Sequence, residues 1–189
     1  MKRVLLVLLT ASLLAGGSSL SARAGGPQLV DPAGDHPVPW ADLTGVELKL
    51  GPGNVRTGPV LDLTFIVSGA ISPESRNMMT GYNFSAKIGS CKFSAGFNAF
   101  PSATEGALPA GSAGAICEGG KQLEPPFKIK GNTVTLSIGI RDLKGVVAGA
   151  VVSKMTASTV PVQGFAGDDT GALALTGDTA ASDKTFPLS

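Results

Sequence analysis

The segment 132–140, Asn-Thr-Val-Thr-Leu-Ser-Ile-Gly-Ile, constrains the fold of this chain more than any other. Apolar side chains occupy every second position and small or polar ones lie between them, the apolar set being Val134, Leu136, Ile138 and Ile140. Successive side chains of a β-strand point to opposite faces, whereas a helix returns to the same face about every 3.6 residues. The segment is therefore predicted to form a strand with one buried and one solvated face.

The same alternation recurs along the chain, and turn residues separate the repeats. It predicts strands at 42–50, 60–68, 81–89 and 91–99, with a tight hairpin at Gly89-Ser90, and shorter strands at 28–30, 115–118, 127–129 and 185–188. About eight to ten short strands with turns about every ten residues are typical of an all-β fold. We expect a two-sheet antiparallel β-sandwich, either jelly-roll or immunoglobulin-like.

Three segments lack this alternation. Segments 100–114 and 161–183 are rich in Gly, Ala and polar turn residues, which predicts loops. Segment 143–155 is apolar on both faces at its centre, which predicts an interior strand covered on both sides. A helix is the alternative there, but Gly145, Gly149 and the valines disfavour it.

The start of the chain is typical of an export signal. A basic start precedes an uncharged apolar run at 4–15, and small residues follow up to Ala24. We expect a signal peptide at 1–24, a single β-sandwich domain at 25–189, and a secreted, extracellular product. The apolar run is shorter than the roughly 20 residues of a bilayer span, so no membrane insertion is expected after cleavage. The abundance of Ala and Gly points to a bacterial source.

Charge and cysteine content narrow the partners and the compartment. Without Lys2, Arg3 and Arg23 the chain has 12 basic and 14 acidic residues, a net charge of −2, which argues against nucleic acid as a partner. We expect a monomer that binds a carbohydrate or protein ligand.

Cys91 and Cys117 are predicted to form one disulfide, worth about 3 to 4 kcal/mol on the chain-entropy estimate. A metal site on these thiols is disfavoured because the chain has one histidine.

Several aspartates in Gly-rich and Pro-rich turns form a candidate calcium site. Calcium takes six to eight oxygen ligands in flexible geometry, which clustered aspartates and carbonyls supply. No spacing matches an EF-hand loop. The alternative is that each aspartate bonds the backbone of its own turn. The predicted ligands are Asp31, Asp35, Asp42 and Asp178, with Asp168 and Asp169 as other acids of the late segment.

The layout resembles the exported β-sandwich domains related to family-nine carbohydrate-binding modules and DOMON domains. The resemblance rests on the motifs at 31–35 (Asp-Pro-Ala-Gly-Asp), 42–46 (Asp-Leu-Thr-Gly-Val) and 177–180 (Gly-Asp-Thr-Ala), and on the strands at 61–67 and 134–140. It implies a two-sheet sandwich that holds calcium and binds a sugar, or haem in some DOMON relatives.

Departures from that family concern its ligands. Sugar binding in such modules uses exposed aromatic platforms, for which the candidates here are Trp40 and Tyr82. Haem would need axial ligands from His36, Met78 or Met79.

Catalysis is the other class of function considered. His36 is the one imidazole available as a base, but no Gly-x-Ser-x-Gly elbow is present, and the glutamates are scattered over strand edges and loops. A solvated turn histidine is the favoured interpretation. The leading hypothesis is a secreted, non-catalytic binding module with a structural calcium ion. The alternatives are an exported hydrolase acting on carbohydrate or ester, and a small-ligand or haem carrier.

Overall fold

A computed structural model describes residues 26–54, 58–71, 78–100, 110–163, 173–174 and 177–188. The described chain forms two antiparallel β-sheets packed face to face, so the prediction of an all-β sandwich is confirmed. The predicted signal peptide at 1–24 lies outside the described residues. Within the described ranges, no helix is long and apolar enough to cross a membrane.

Twelve strands and one short 3-10 helix, Ile140–Asp142, make up the described part of the chain. The strands are β1 (Leu29–Val30), β2 (Leu43–Asn54), β3 (Gly58–Val67), β4 (Met78–Ile88), β5 (Cys91–Phe100), β6 (Ala110–Cys117), β7 (Phe127–Lys130), β8 (Thr133–Gly139), β9 (Val151–Gln163), β10 (Leu173–Ala174), β11 (Asp178–Ser182) and β12 (Phe186–Pro187).

Each sheet is five strands across. The first sheet has the order β1-β2-β3-β8-β7, and the second has β9-β4-β5-β6 with β10, β11 and β12 paired one after another along the free edge of β9. The strand count exceeds the predicted eight to ten because these three short strands share one edge. The chain crosses between sheets after β3, β6 and β8, which leaves β8 beside β3 and β9 beside β4.

The core lies between the sheets and follows the period-two pattern. Leu63 of β3 pairs with Leu136 of β8, and both are fully buried. From the second sheet, Phe84 and Phe93 project into the same core cluster. Burying the apolar face of every strand supplies most of the driving force for this fold.

The predicted interior strand at 143–155 is wrong for its first part, because residues 143–150 form turns and β9 begins at Val151. Gly145 (φ 88°) and Gly149 (φ 78°) occupy the left-handed region that favours glycine, and both lie in these turns. Val147 is 60% exposed and Val151 is 53% exposed, so the apolar run is not covered on both faces.

The predicted loops at 100–114 and 161–183 are wrong in part. β5 extends to Phe100 and β6 begins at Ala110, while β9 continues to Gln163, β10 spans Leu173–Ala174 and β11 starts at Asp178. At 110–114 the alternation of apolar and polar residues is not visible because most residues are small. At one of these positions a core ring leaves no space for a side chain. A Cβ atom at Gly111 would lie 2.1 Å from the ring of Phe97.

The predicted disulfide is confirmed. Cys91 at the start of β5 bonds Cys117 at the end of β6, with 5.4 Å between their Cα atoms, and both residues are buried. The bond therefore joins the edge strand β6 covalently to its neighbour in the second sheet.

Candidate metal centre

The loop at 31–42, between β1 and β2, lies at one end of the sandwich and is bonded to both sheets. On the side of the first sheet, the Ser68 amide donates to the Asp42 carbonyl at 2.9 Å, just beyond β3. On the side of the second sheet, the Tyr82 hydroxyl donates to the Trp40 carbonyl at 2.7 Å, and the Thr159 hydroxyl donates to the Ala41 carbonyl. These bonds hold the loop across the end of the core.

Three of the four predicted ligands meet at this loop. One carboxylate oxygen from each of Asp31, Asp35 and Asp178 lies within 4.8 Å of the other two. Asp31 and Asp35 belong to the loop, whereas Asp178 is the first residue of β11 and pairs with Thr159 of β9. The cluster therefore connects the loop before β2 to the edge of the second sheet.

Asp42 is not one of the three clustered carboxylates, but it bonds the turn that carries Asp35. Its side chain is 1% exposed, and its Oδ2 accepts a hydrogen bond from the Gly34 amide at 2.7 Å. Gly34 has a φ of 89°, a conformation that glycine adopts without strain, and the next residue in the turn is Asp35. Asp42 therefore bonds backbone eight residues before it in the loop at 31–42, rather than the backbone of its own turn.

Asp178 is held by the start of β2. It is 8% exposed, and its Oδ2 accepts a hydrogen bond from the Leu43 amide at 2.7 Å. Gly177 permits this approach, because a Cβ atom there would lie 2.3 Å from the Thr159 carbonyl oxygen. Gly177 belongs to the motif at 177–180, but its sequence position alone does not show that it allows the close approach to β9.

The carboxylates of this region lie close together, and their pKa values differ from that of an ordinary aspartate. Burial, and then repulsion from Asp178 and Asp35, raise the pKa of Asp31 from 3.8 to about 6. Burial, and then contact with Asp42, raise the pKa of Asp35. Burial opposes ionisation of Asp42 as well, but hydrogen bonds from Ser68 and from the Gly34 amide outweigh it, so the pKa of Asp42 is lowered.

Two carboxylate oxygens of this region are buried without a hydrogen-bond partner among the described residues: Asp31 Oδ2 and Asp42 Oδ1. Leaving a buried charged oxygen unpaired is costly, and native structures avoid it or satisfy it with water or an ion. Carboxylate oxygens are the ligands that calcium prefers, and calcium tolerates an irregular arrangement. The residues present therefore fit a bound calcium ion.

The two aromatic residues predicted as exposed ligand platforms, Trp40 and Tyr82, both pack against or within the core. Tyr82 is 0% exposed, so its prediction as an exposed ligand platform is wrong. It projects inward from β4 between the rings of Phe65 and Phe97, at centroid distances of 5.8 and 6.0 Å, and burial raises its pKa. Trp40 is partly buried and packs against the core cluster.

The remaining predicted residues do not contribute a carboxylate to the cluster, and His36 lies beside it, directly after Asp35. His36 Nδ1 accepts a hydrogen bond from the Val38 amide at 3.0 Å, as expected of a turn histidine. Asp168 and Asp169 fall outside the described ranges. The haem and hydrolase alternatives stay predictions.

One exposed aromatic was missed as a candidate ligand platform. Phe127, the first residue of the edge strand β7, is 38% exposed, and the centroid of its ring lies 4.6 Å from the centroid of the Phe97 ring. Its position directly after Pro125 and Pro126 was the available signal, because prolines interrupt sheet pairing.

Together, the fold and the site define an antiparallel two-sheet β-sandwich with an acidic centre that joins one sheet edge to the loop at the sandwich end. Comparison with protein-family models, curated proteins and solved structures gives no match.

Proposed function

We propose that this chain is an exported, non-catalytic β-sandwich binding module, resembling the family-nine carbohydrate-binding and DOMON-like domains, with a calcium ion at its acidic centre. The observation that carries the proposal is the convergence of Asp31, Asp35 and Asp178, two of them in one turn and the third far along the chain. The burial of Asp31 Oδ2 without a described hydrogen-bond partner supports it independently.

Calcium fits this centre better than magnesium does. Magnesium demands near-octahedral geometry and keeps several waters, whereas calcium accepts carboxylates and carbonyls in flexible arrangements. The aspartates are carried partly by an irregular loop and partly by a strand end, an arrangement that suits the more tolerant ion. A bound cation would also offset the repulsion that raises the pKa of Asp31.

The role proposed for the ion is structural. Asp178 binds the Leu43 amide and Asp42 binds the Gly34 amide, so both carboxylates already hold backbone in place. An ion shared with Asp31 and Asp35 would clamp the loop at 31–42 to β11. Export is supported by the basic and apolar start of the chain and by its disulfide, a bond that persists in oxidising compartments.

Thermal unfolding of the purified chain tests the metal clause. We expect the melting temperature to rise when excess calcium replaces EDTA, because a ligand at about 100 times its Kd stabilises the native state by about 2.7 kcal/mol. Asp178→Asn should abolish most of this rise, since its amide oxygen still accepts from Leu43 while the charge is lost. Asp183→Asn, at an exposed position just after β11, is the matched control. An equal rise in Asp178→Asn, or no rise in the unaltered chain, would contradict the proposal.

A further inference from the structure

The outer face of the second sheet is uncharged over three successive rows of paired residues. The rows are Ala181-Thr156-Ser85-Ser94-Ile116, Thr179-Ser158-Asn83-Gly96-Gly114 and Val160-Gly81-Asn98-Ser112. The next row on the same face is charged, because it pairs Lys87 with Lys92, and the outer face of the first sheet carries Lys49 and Asp62 in one row and Glu47 and Lys128 in the next. The three neutral rows therefore form a bounded stretch of hydroxyl and amide groups within a surface that elsewhere carries charges.

Three carboxamide groups lie over glycines of a neighbouring segment on this face. A Cβ atom at Gly96 would lie 3.1 Å from Asn83 Oδ1, and one at Gly114 would lie 3.5 Å from Gln122 Nε2. The glycines therefore form a floor against which these amide groups lie. The three pairs are Gly81 with Asn98, Gly96 with Asn83, and Gly114 with Gln122.

Gly96 and Gly114 of this floor line a groove of about 550 Å³ that crosses β11, β9, β4, β5 and β6, whereas Asn98 lines only the hollow beside it and Gly81 lines neither. The groove adjoins this second hollow, which shares Gly96, Gly114 and Gln122 with it and ends at Phe127. Phe127 adds a partly exposed ring at this end, and Glu124 is the one charged residue lining the two hollows in the described part of the chain.

We propose that the groove and the hollow that adjoins it together bind one neutral polysaccharide chain. The proposal rests on the binding-module function proposed above and names its class of ligand. Amides and hydroxyls both donate and accept hydrogen bonds, as sugar hydroxyls do, and the Phe127 ring offers an apolar surface for a sugar face. A charged polymer would find no opposite charges along the three rows, and an apolar peptide would leave the amides unpaired.

Affinity electrophoresis of the purified chain in calcium tests this proposal. The gels contain mixed-linkage β-glucan, glucomannan or galactomannan as neutral probes, and alginate or chitosan as charged ones. We expect at least one neutral probe to retard the chain and the charged probes to have no comparable effect. No retardation by the neutral probes, or stronger retardation by a charged one, would overturn the proposal.

Two substitutions test whether the polysaccharide binds at this position on the second sheet. Gly114→Val fills the groove from a position where a Cβ atom meets only ordinary contacts, and valine favours strands. It should weaken binding by about tenfold or more, as should Asn98→Ala, which removes an exposed amide without altering the core. Lys49→Ala, on the outer face of the first sheet, should bind as the unaltered chain does. Binding that survives both groove variants would refute the site.

The two proposals fail separately. Calcium-dependent melting of Gly114→Val should match that of the unaltered chain, because residue 114 lies away from the acidic centre. If no chain is stabilised by calcium but all still bind polysaccharide, only the proposal of a metal centre is refuted. If calcium stabilises the chain but no polysaccharide binds, only the proposal of a binding groove is refuted.

Discussion

Asp31 should make the calcium-free protein less stable as the pH rises towards neutrality. Its pKa is about 6 in the folded chain against 3.8 for an ordinary aspartate, so between these values the folded state binds more protons than the unfolded state does. The contribution of Asp31 to stability is therefore fully present below about pH 4 and is lost as the pH rises through about 6. This direction is opposite to that of an aspartate stabilised by a cation.

The magnitude follows from the two pKa values. A change from 3.8 to about 6 corresponds to at most about 3 kcal/mol. Asp31 is only partly buried, so solvent and salt reduce this to about 1 to 2 kcal/mol. The variant Asp31→Asn has no such titration. Without calcium it should be more stable than the unaltered chain at pH 7 by about that amount, and equally stable near pH 4.

Urea unfolding in EDTA, at a series of pH values from about 4 to about 7, measures the effect. The quantity compared is the difference in free energy of unfolding between the two chains, because Asp35 and Asp42 titrate in both. Calcium should reverse the trend for the unaltered chain, since binding requires ionised carboxylates, and should have little effect on Asp31→Asn. Parallel pH profiles of the two chains in EDTA would refute the reasoning.

Three further predictions concern stability. Replacing Cys91 and Cys117 together by serine should lower the free energy of unfolding by about 3 kcal/mol, because the closed loop spans 26 residues; a loss below about 1 kcal/mol would contradict this. Gly177→Ala should destabilise the chain by about 1 to 3 kcal/mol and weaken the calcium-induced rise in melting temperature, because its Cβ would lie 2.3 Å from the Thr159 carbonyl oxygen. Both effects are read from calcium-dependent melting curves, with Gly114→Ala as the unhindered control. Lys154→Gly should stabilise by about 0.5 to 1 kcal/mol, because Lys154 has a φ of 51°; a urea midpoint that falls would show that its side chain contributes more than its backbone costs.

The sequence alone determined the fold class and the disulfide. Alternation such as that of Leu136 and Ile138 depends only on neighbours two positions apart, so it survives any choice of pairing partner. Two cysteines allow a single intramolecular pair, and the alternating strands around Cys91 already suggested where it would lie. The same alternation placed Tyr82 on the inward face with Phe84, which conflicted with its prediction as an exposed platform.

The arrangement of the acidic centre was decided by the tertiary structure. Asp31, Asp35 and Asp42 are close in the sequence, but Asp178 reaches them because β11 pairs with β9 in the register that sets Asp178 opposite Thr159. No local pattern encodes that register, because small residues such as Gly177 carry no hydrophobic period. Pairing between strands, which depends on contacts over the whole core, therefore decided which carboxylates meet, while the residues themselves decided only that such a meeting had the chemistry of a cation site.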